Sequence, residues 1–233
     1  MDLAVILAGA GEGRRMGALG PKLLIEISGR PALARVVETF LDVTAVGEIV
    51  AVVPAALLPD AQRALATVAN PRGVTLVATP GGAERQESVW LGLQTLTSDL
   101  PYVAVHDVAR VLVRPALIER VLAAARATGA AIPTLPIRDS VKEVVDGRIA
   151  HSFPRERLSA AQTPQIFTRD ILTRAHARAR EREEIATDDA ALVESLGVAI
   201  AAVPGDPSNL KLTFPGDLVV FEALIQFLSK TEA

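Results

Sequence analysis

Leu3-Ala4-Val5-Ile6-Leu7-Ala8 runs without a break into Gly9-Ala10-Gly11-Glu12-Gly13-Arg14-Arg15-Met16-Gly17, and the stretch closes with Pro21-Lys22. The apolar half is too short for a helix and carries no polar alternation, so it reads as a strand buried on both faces. The second half holds five glycines and one proline between Gly9 and Pro21, which makes it a loop. Glycines at alternate positions remove the Cβ atoms that would keep a ligand from the backbone N–H groups, and consecutive N–H groups form an anion-binding concavity. Two arginines follow at once and Lys22 stands at the end. Backbone donors and three cations on one loop suit a polyphosphate. The plain alternative is a glycine-rich turn with solvated arginines.

Two familiar phosphate loops do not fit. The P-loop needs Gly-Lys-Ser/Thr, and the chain contains no Gly-Lys pair. The dinucleotide fingerprint needs G-x-G-x-x-G opening into a helix. Counted from Gly9 its last glycine is Arg14, counted from Gly11 it is Met16, and Pro21 stops an early helix.

Outward from this loop the chain alternates. Leu23–Ile27 resumes extended, Ser28-Gly29-Arg30-Pro31 turns, and Leu33, Val36, Val37, Phe40 and Leu41 form one helical stripe, with Pro31 at its first position. Strands are expected over Glu48–Val53, Val74–Ala78, Tyr102–His106 and Ala130–Ile137. Helices are expected over Ala55–Ala69, around Ser88–Leu96, and over Pro115–Ala127 with a stop at Gly129. The two prolines in Ala130–Ile137 predict a bend or a place near an edge. Such alternation predicts an α/β fold: a Rossmann-like, mostly parallel sheet with helices on both faces.

The rhythm breaks at Arg138. Ser140–Val145, Asp146-Gly147 and Arg148–Phe153 predict a β-hairpin with a two-residue primed turn. With few local partners, it either covers an edge or projects onto a second subunit. Beyond it a strand is expected near Gln165–Phe167 and a helix near Arg169–Arg182. A helix capped by Thr187 and ended by Gly197 follows, then strands at Val198–Val203 and Leu210–Phe214, and a last helix opened by Pro215. No linker or low-complexity tract intervenes, so residues 1–233 read as one domain with 138–156 as a projecting arm. The five arginines and four acids from Arg169 to Glu184 read as a salt-laced helix face, not a nucleic-acid stripe.

Composition narrows the function classes. A 233-residue chain that is 50% hydrophobic buries a large core and is not disordered. No apolar run approaches the ~20 residues of a membrane span. The strand pattern starts at Met1-Asp2-Leu3, which leaves no room for a signal peptide. The absence of cysteine excludes a thiol nucleophile, a Cys-ligated zinc and a disulfide scaffold, and fits a reducing compartment such as the cytoplasm. A net charge of −3 argues against nucleic acid as a partner. Asp107 falls just past a strand, where open parallel sheets place ligand groups. It can bind Mg²⁺ beside phosphate oxygens, or accept from a ribose hydroxyl. His106 reads as a packed neighbour, and His151 and His176 lack clustered partners.

Eight short motifs carry a resemblance over nearly the whole chain: Gly11-Glu12-Gly13-Arg14-Arg15-Met16, Pro21-Lys22, Gly81 to Val89, His106 to Arg110, Arg138 to Lys142, Thr163-Pro164-Gln165, Thr187-Asp188-Asp189 and Asn209-Leu210-Lys211. Together they resemble the nucleotidylyltransferases that join a sugar or polyol phosphate to a nucleoside triphosphate. Within these they resemble the 2-C-methyl-D-erythritol 4-phosphate cytidylyltransferases of non-mevalonate isoprenoid synthesis. The resemblance implies an enzyme that takes CTP and Mg²⁺ and works as a homodimer through the β-arm. It implies that Arg15 and Lys22 stabilise the transition state, and that Ala10, Gly11, Gly13 and Arg14 belong to the triphosphate cradle. It sets Gly82, Ala83 and Ser88 at the cytosine, and Arg110, Ser140, Thr163, Thr187 and Lys211 at the polyol phosphate. Lys211 touches the attacking phosphate, and Arg155 reaches the acceptor bound in the partner subunit.

Departures from the family pattern are Ala83, where an acid is frequent, Ser140 in place of Thr, and Val108 and Val111 in place of Ala and Pro. The rival readings are a cytidylyltransferase for ribitol 5-phosphate or another polyol or sugar phosphate, and a catalytically silent nucleotide-binding subunit. Arg15, Lys22, Asp107 and Lys211 are all present, which counts against the silent reading.

Overall fold

Side chains along Leu3–Ala8 alternate between two apolar layers. Leu3, Val5 and Leu7 pack into one, and Ala4 and Ile6 into the other. A strand apolar on both faces needs cover on both. A computed structural model, which describes residues 1–11 and 20–231, supplies it.

In chain order the elements are β1 (Leu3–Ala8), β2 (Glu26–Ile27), β3 (Arg30–Pro31), α1 (Ala32–Leu41), β4 (Val46–Val53), α2 (Leu58–Ala66), β5 (Thr75–Pro80), α3 (Arg85–Thr95), β6 (Tyr102–Asp107), α4 (Pro115–Thr128), β7 (Ala130–Pro136), β8 (Val141–Val145), β9 (Arg148–Phe153), β10 (Ser159–Ala161), β11 (Gln165–Thr168), α5 (Arg169–Glu181), α6 (Asp189–Glu194), β12 (Ala201–Pro204) and α7 (Asp217–Thr231). The main sheet has eight strands. β5, β4, β1 and β6 pair in parallel, β10 and β11 run antiparallel beside β7, and β12 lies parallel on the outer side of β7. α1, α2 and α4 cover one face and α3, α5 and α6 the other.

β1 lies between β4 and β6. The chain leaves β1 towards β4 and β5, then returns to the opposite side of β1 with β6. The carboxyl ends of β1 and β6 therefore meet at the point where strand order reverses, and open α/β sheets bind ligands in the crevice beyond such a point.

Most expected elements stand where their patterns put them. Pro115 opens α4, and Gly129 closes it at φ 86° in the left-handed conformation that glycine adopts without a Cβ penalty. The hairpin turns through Asp146 and Gly147, both at positive φ, as a primed turn requires. Strand β7, with its two prolines, is next to the edge, covered only by β12.

Five expectations are corrected. Leu23 and Leu24 lie in a 3₁₀ turn rather than in extended chain, and Pro215 precedes α7 by two residues instead of opening it. Leu210–Phe214 forms no strand. It is irregular chain held by the Leu212 N–H to the Ala109 carbonyl at 2.8 Å, and only Leu212 of its three apolar residues is buried. The cap of α6 is Asp188 rather than Thr187, because the Asp188 carboxylate accepts from the Ala191 N–H at 3.0 Å. Pro31 precedes α1 by one residue instead of opening it.

Candidate active-site cleft

Beyond the carboxyl ends of β1 and β6 lies a cleft of about 510 Å³. Its walls are the glycine segment from Gly9 to Gly11, Lys22, Ala83 to Arg85, Ser88, Asp107 and Lys211. Backbone closeness favours glycine at Gly9: a Cβ there would lie 3.2 Å from both Val108 Cγ2 and the Val52 carbonyl oxygen, tighter than ordinary contact. Lys22 opens a single 3₁₀ turn, Lys22–Leu24, whose Leu23 plugs into the core and fixes the lysine at the rim. Gly13, Arg14 and Arg15 lie outside the described residues.

The opposite wall is charged and tightly bonded. Asp107, the last residue of β6, accepts from Lys211 Nζ on Oδ2 at 2.6 Å and from Arg85 Nε on Oδ1 at 3.1 Å. Burial alone would raise its pKa. The Arg85 and Lys211 charges and their hydrogen bonds overcome that and hold the carboxyl far below the usual carboxylate range. Arg85 also donates through Nη1 to Asp189 Oδ2 at 2.7 Å, and the buried His176 bonds Asp189 Oδ1 at 2.9 Å. His176 thus has a partner that its isolation in the sequence concealed.

His106 is buried between a carbonyl acceptor and a hydroxyl donor, and these set its tautomer. A carbonyl can only accept, so Nε2–H donates to the Arg110 carbonyl at 3.1 Å. Nδ1 then accepts from the Thr163 hydroxyl at 3.0 Å, while that oxygen accepts the Asp107 N–H at 3.1 Å. Burial pushes the His106 pKa down to about 4, which keeps the ring neutral at physiological pH. Thr163 thereby locks the backbone of Asp107 from below. Asn209 donates to the Thr163 carbonyl at 2.9 Å, and its own carbonyl accepts from Arg110 Nη1 at 2.8 Å. Arg110 Nε is buried without a hydrogen-bond partner.

At the base of α3, Ser88 is not a cap. It is buried, accepts from the Gly82 N–H at 3.1 Å and donates to the Glu84 carbonyl at 3.0 Å. The double glycine is there for space: a Cβ on Gly81 would meet Ala10 Cβ at 2.5 Å and Ser88 Oγ at 2.7 Å. Ala83 lines the cleft, and its N–H donates to Glu87 Oε2 at 2.9 Å.

Ala10, Gly11, Lys22, Ala83, Ser88, Asp107 and Lys211 therefore line one cleft, and Gly82, Thr163 and Arg110 brace it. Ser140, Arg155 and Thr187 are exposed and do not line it. Arg155 follows the arm and donates through Nη1 to the Arg138 carbonyl at 2.5 Å. Every residue from 142 to 157 is exposed, including Val144, Val145, Ile149 and Phe153. Arg85 and Asp189 carry no assignment in the sequence reading, although both stand in the quoted motifs. The available signal was an arginine and an acid of opposite sign in two motifs that share one fold. Among the described residues no three His, Cys, Asp or Glu side chains gather as metal ligands, and no helix is long and apolar enough to cross a membrane.

Comparison with known proteins agrees with this geometry. A profile of the 2-C-methyl-D-erythritol 4-phosphate cytidylyltransferase family (IspD) matches residues 3–227. A protein of that name from Bacillus licheniformis is 38% identical over 232 residues, covering 100% of this chain and 99% of that protein. Another from Frankia casuarinae is 43% identical over 226 residues, covering 96% of this chain and 81% of that protein. The crystal structure of the protein of that name from Thermus thermophilus superposes with a TM-score of 0.78 at 36% identity, covering 97% of this chain and 100% of that one.

Proposed function

The chain belongs to the 2-C-methyl-D-erythritol 4-phosphate cytidylyltransferase family, and from that premise we propose how its cleft works. The reaction moves a cytidylyl group from CTP to 2-C-methyl-D-erythritol 4-phosphate. It yields 4-diphosphocytidyl-2-C-methyl-D-erythritol and pyrophosphate, a step towards non-mevalonate isoprenoid precursors. An oxygen of the 4-phosphate attacks the α-phosphorus in line, and pyrophosphate leaves with the electron pair of the broken P–O bond. No covalent enzyme intermediate is required. Catalysis is positioning and neutralisation of the charge gathering on the α-phosphoryl oxygens and the leaving group.

Cations are the right residues for that work. Lys22 and Lys211 both line the cleft, and we assign Lys22 with Arg15 to the developing charge and Lys211 to the attacking phosphate. Ala10, Gly11, Gly13 and Arg14 cradle the triphosphate. Gly82, Ala83 and Ser88 meet the cytosine. Since the Gly82 and Ala83 N–H groups already have partners, carbonyl oxygens read the base there, accepting from its amino group.

A divalent cation fits the donor set. Asp107 is an ionised carboxylate facing the cleft, and each of its oxygens keeps a second lone pair. Mg²⁺ is commonly held by one or two carboxylates plus substrate phosphates, so one acid suffices. When bound, the ion supplies charge neutralisation on the triphosphate. Lys211, bonded to Asp107, would be the cation that meets the incoming phosphate.

The acceptor site is completed across a homodimer. Arg110, Thr163, Thr187 and Ser140 with Lys211 form one part, and Arg155 from the partner's arm forms the other. Supporting this, residues 138–156 expose four large apolar side chains and Arg155. A chain without cysteine is at home in the cytoplasm.

The observation that carries the reading is the convergence of Gly9 to Gly11 with Lys22, Asp107 and Lys211 on one crevice from three distant parts of the chain. Pyrophosphate release from CTP and Mg²⁺ tests it, with methylerythritol 4-phosphate and ribitol 5-phosphate in parallel. Turnover with the first is expected. Turnover with ribitol phosphate alone overturns the acceptor, and no release from a folded, CTP-binding sample overturns the catalytic reading.

A further inference from the structure

We propose that Asp189, backed by His176, is a positioning residue that holds Arg85 back from the nucleotide and fixed on Asp107. The inference deepens the reaction assigned to this cleft and rests on it. Arg85 stands on the cleft wall with a choice of anionic partners. Phosphate oxygens match a guanidinium fork at least as well as a carboxylate does. Asp107 alone is a weak tether, because it also serves Lys211.

Asp189 supplies the second tether. It is 1% exposed and takes Arg85 Nη1 at 2.7 Å on Oδ2. Its other oxygen is 2.9 Å from His176 Nε2. A carboxylate accepts, so Nε2 donates, and Nδ1 is left buried without a partner. His176 belongs to α5 and Asp189 opens α6, so the bond ties two packed helices beneath the arginine. Gln165 clamps the same turn: it donates to Asp188 Oδ2 at 2.7 Å and accepts the Ala190 N–H at 2.9 Å.

The charges of this row balance, with Lys211 and Arg85 against Asp107 and Asp189. Loss of the Asp189 charge leaves Arg85 half-tethered beside a triphosphate. The freed fork then grips the substrate in its ground state, and Asp107 loses the bond that orients Oδ1. Ground-state grip without matching transition-state grip tightens binding and slows the chemistry.

The signs make the test specific. Asp189→Asn is expected to lower kcat about tenfold or more and to tighten calorimetric CTP binding about threefold or more. General loosening of the cleft would weaken binding instead. His176→Gln keeps an N–H donor to Asp189 and retains near-wild-type kcat, while His176→Phe lowers it about fivefold. If Asp189→Asn does not fold, the apolar pair Arg85→Met with Asp189→Leu removes both charges together and still lowers kcat about tenfold. Weaker CTP binding by Asp189→Asn, unchanged kcat in it or in the apolar pair, or equal loss in His176→Gln and His176→Phe overturns the proposal. The calorimetric arm needs no turnover, so failure of the proposed reaction, seen as a wild type releasing no pyrophosphate, is read separately.

Discussion

The cleft wall and the arm hold functional charges in opposite ways. At the wall, Asp107 makes two charge-assisted bonds, one of them from Arg85, and Arg85 makes one more to Asp189, all within one chain and mostly out of water. In the arm, residues 142–157 are exposed, and Arg155 meets a backbone carbonyl and the distant edge of Glu156. The wall is organised before any ligand arrives, which suits groups that must meet a developing charge without reorganising. The arm lacks a core of its own, and a two-stranded ribbon gains little stability in water without a surface to lie on. Under the proposed function, the difference separates a nucleotide half that one chain organises from an acceptor half proposed to draw on a second chain.

The largest expected effect falls on the organised side. Lys22→Ala removes the cation proposed for the α-phosphoryl region and should lower kcat by roughly two to three orders of magnitude, with a smaller change in KM for CTP. Steady-state pyrophosphate release with CTP varied checks it. A change confined to KM would move Lys22 from the chemistry to ground-state binding.

The next effect tests whether the arm serves its partner. Arg155→Ala should lower kcat/KM for the polyol phosphate by about tenfold to a hundredfold while KM for CTP stays within about twofold. Mixed with a Lys211→Ala chain, it should regain up to a quarter of wild-type activity, because some hybrid dimers hold one intact shared site, an order-of-magnitude expectation. Absence of rescue with subunit exchange demonstrated would return Arg155 to its own chain's cleft. A milder change on the same surface, Ile149→Lys, puts a charge on a side chain 65% exposed in the isolated chain. Sedimentation should show a dimer weakened by about tenfold or more. An unchanged dimer would place the interface elsewhere.

How much of this was legible in the sequence follows the same division. The β1 strand, the α4 ends and the hairpin turn are local features, each set by residues a few positions apart, and their patterns give them directly. Leu210, Leu212 and Phe214 alternate like a strand, yet the segment has no neighbour to pair with, so period alone misleads. The Arg85–Asp189 bond joins residues 104 apart, and no spacing rule reaches that far. His176 looked solitary because its partner sits 13 residues on, beyond the helix that carries it. Asp107 and Lys22 were found because strand ends and loop cations have meaning by position.

The smallest effect on turnover comes from the far end of the sheet, and it sharpens the contrast from below. Glu48 is buried in β4, with Oε1 accepting the N–H and hydroxyl of Thr97 at 2.9 and 2.8 Å and Oε2 those of Ser98 at 2.9 and 2.5 Å. Burial raises its pKa, but these bonds outweigh it and the net shift is below the ordinary 4.5. Glu48→Gln turns one acceptor into a donor facing donors and should cost about 2 kcal/mol of unfolding free energy near neutral pH. The sign with pH follows from linkage: a depressed carboxyl stabilises fully above its unfolded value of 4.5 and loses that contribution as pH falls through its lower folded value. The gap between the two proteins in urea midpoint should therefore be full at pH 7 and shrink towards pH 3, with kcat at pH 7 unchanged. A gap that widened on acidification would mean that Glu48 is neutral in the fold, and a fall in kcat would mean that the two ends of the sheet are mechanically coupled.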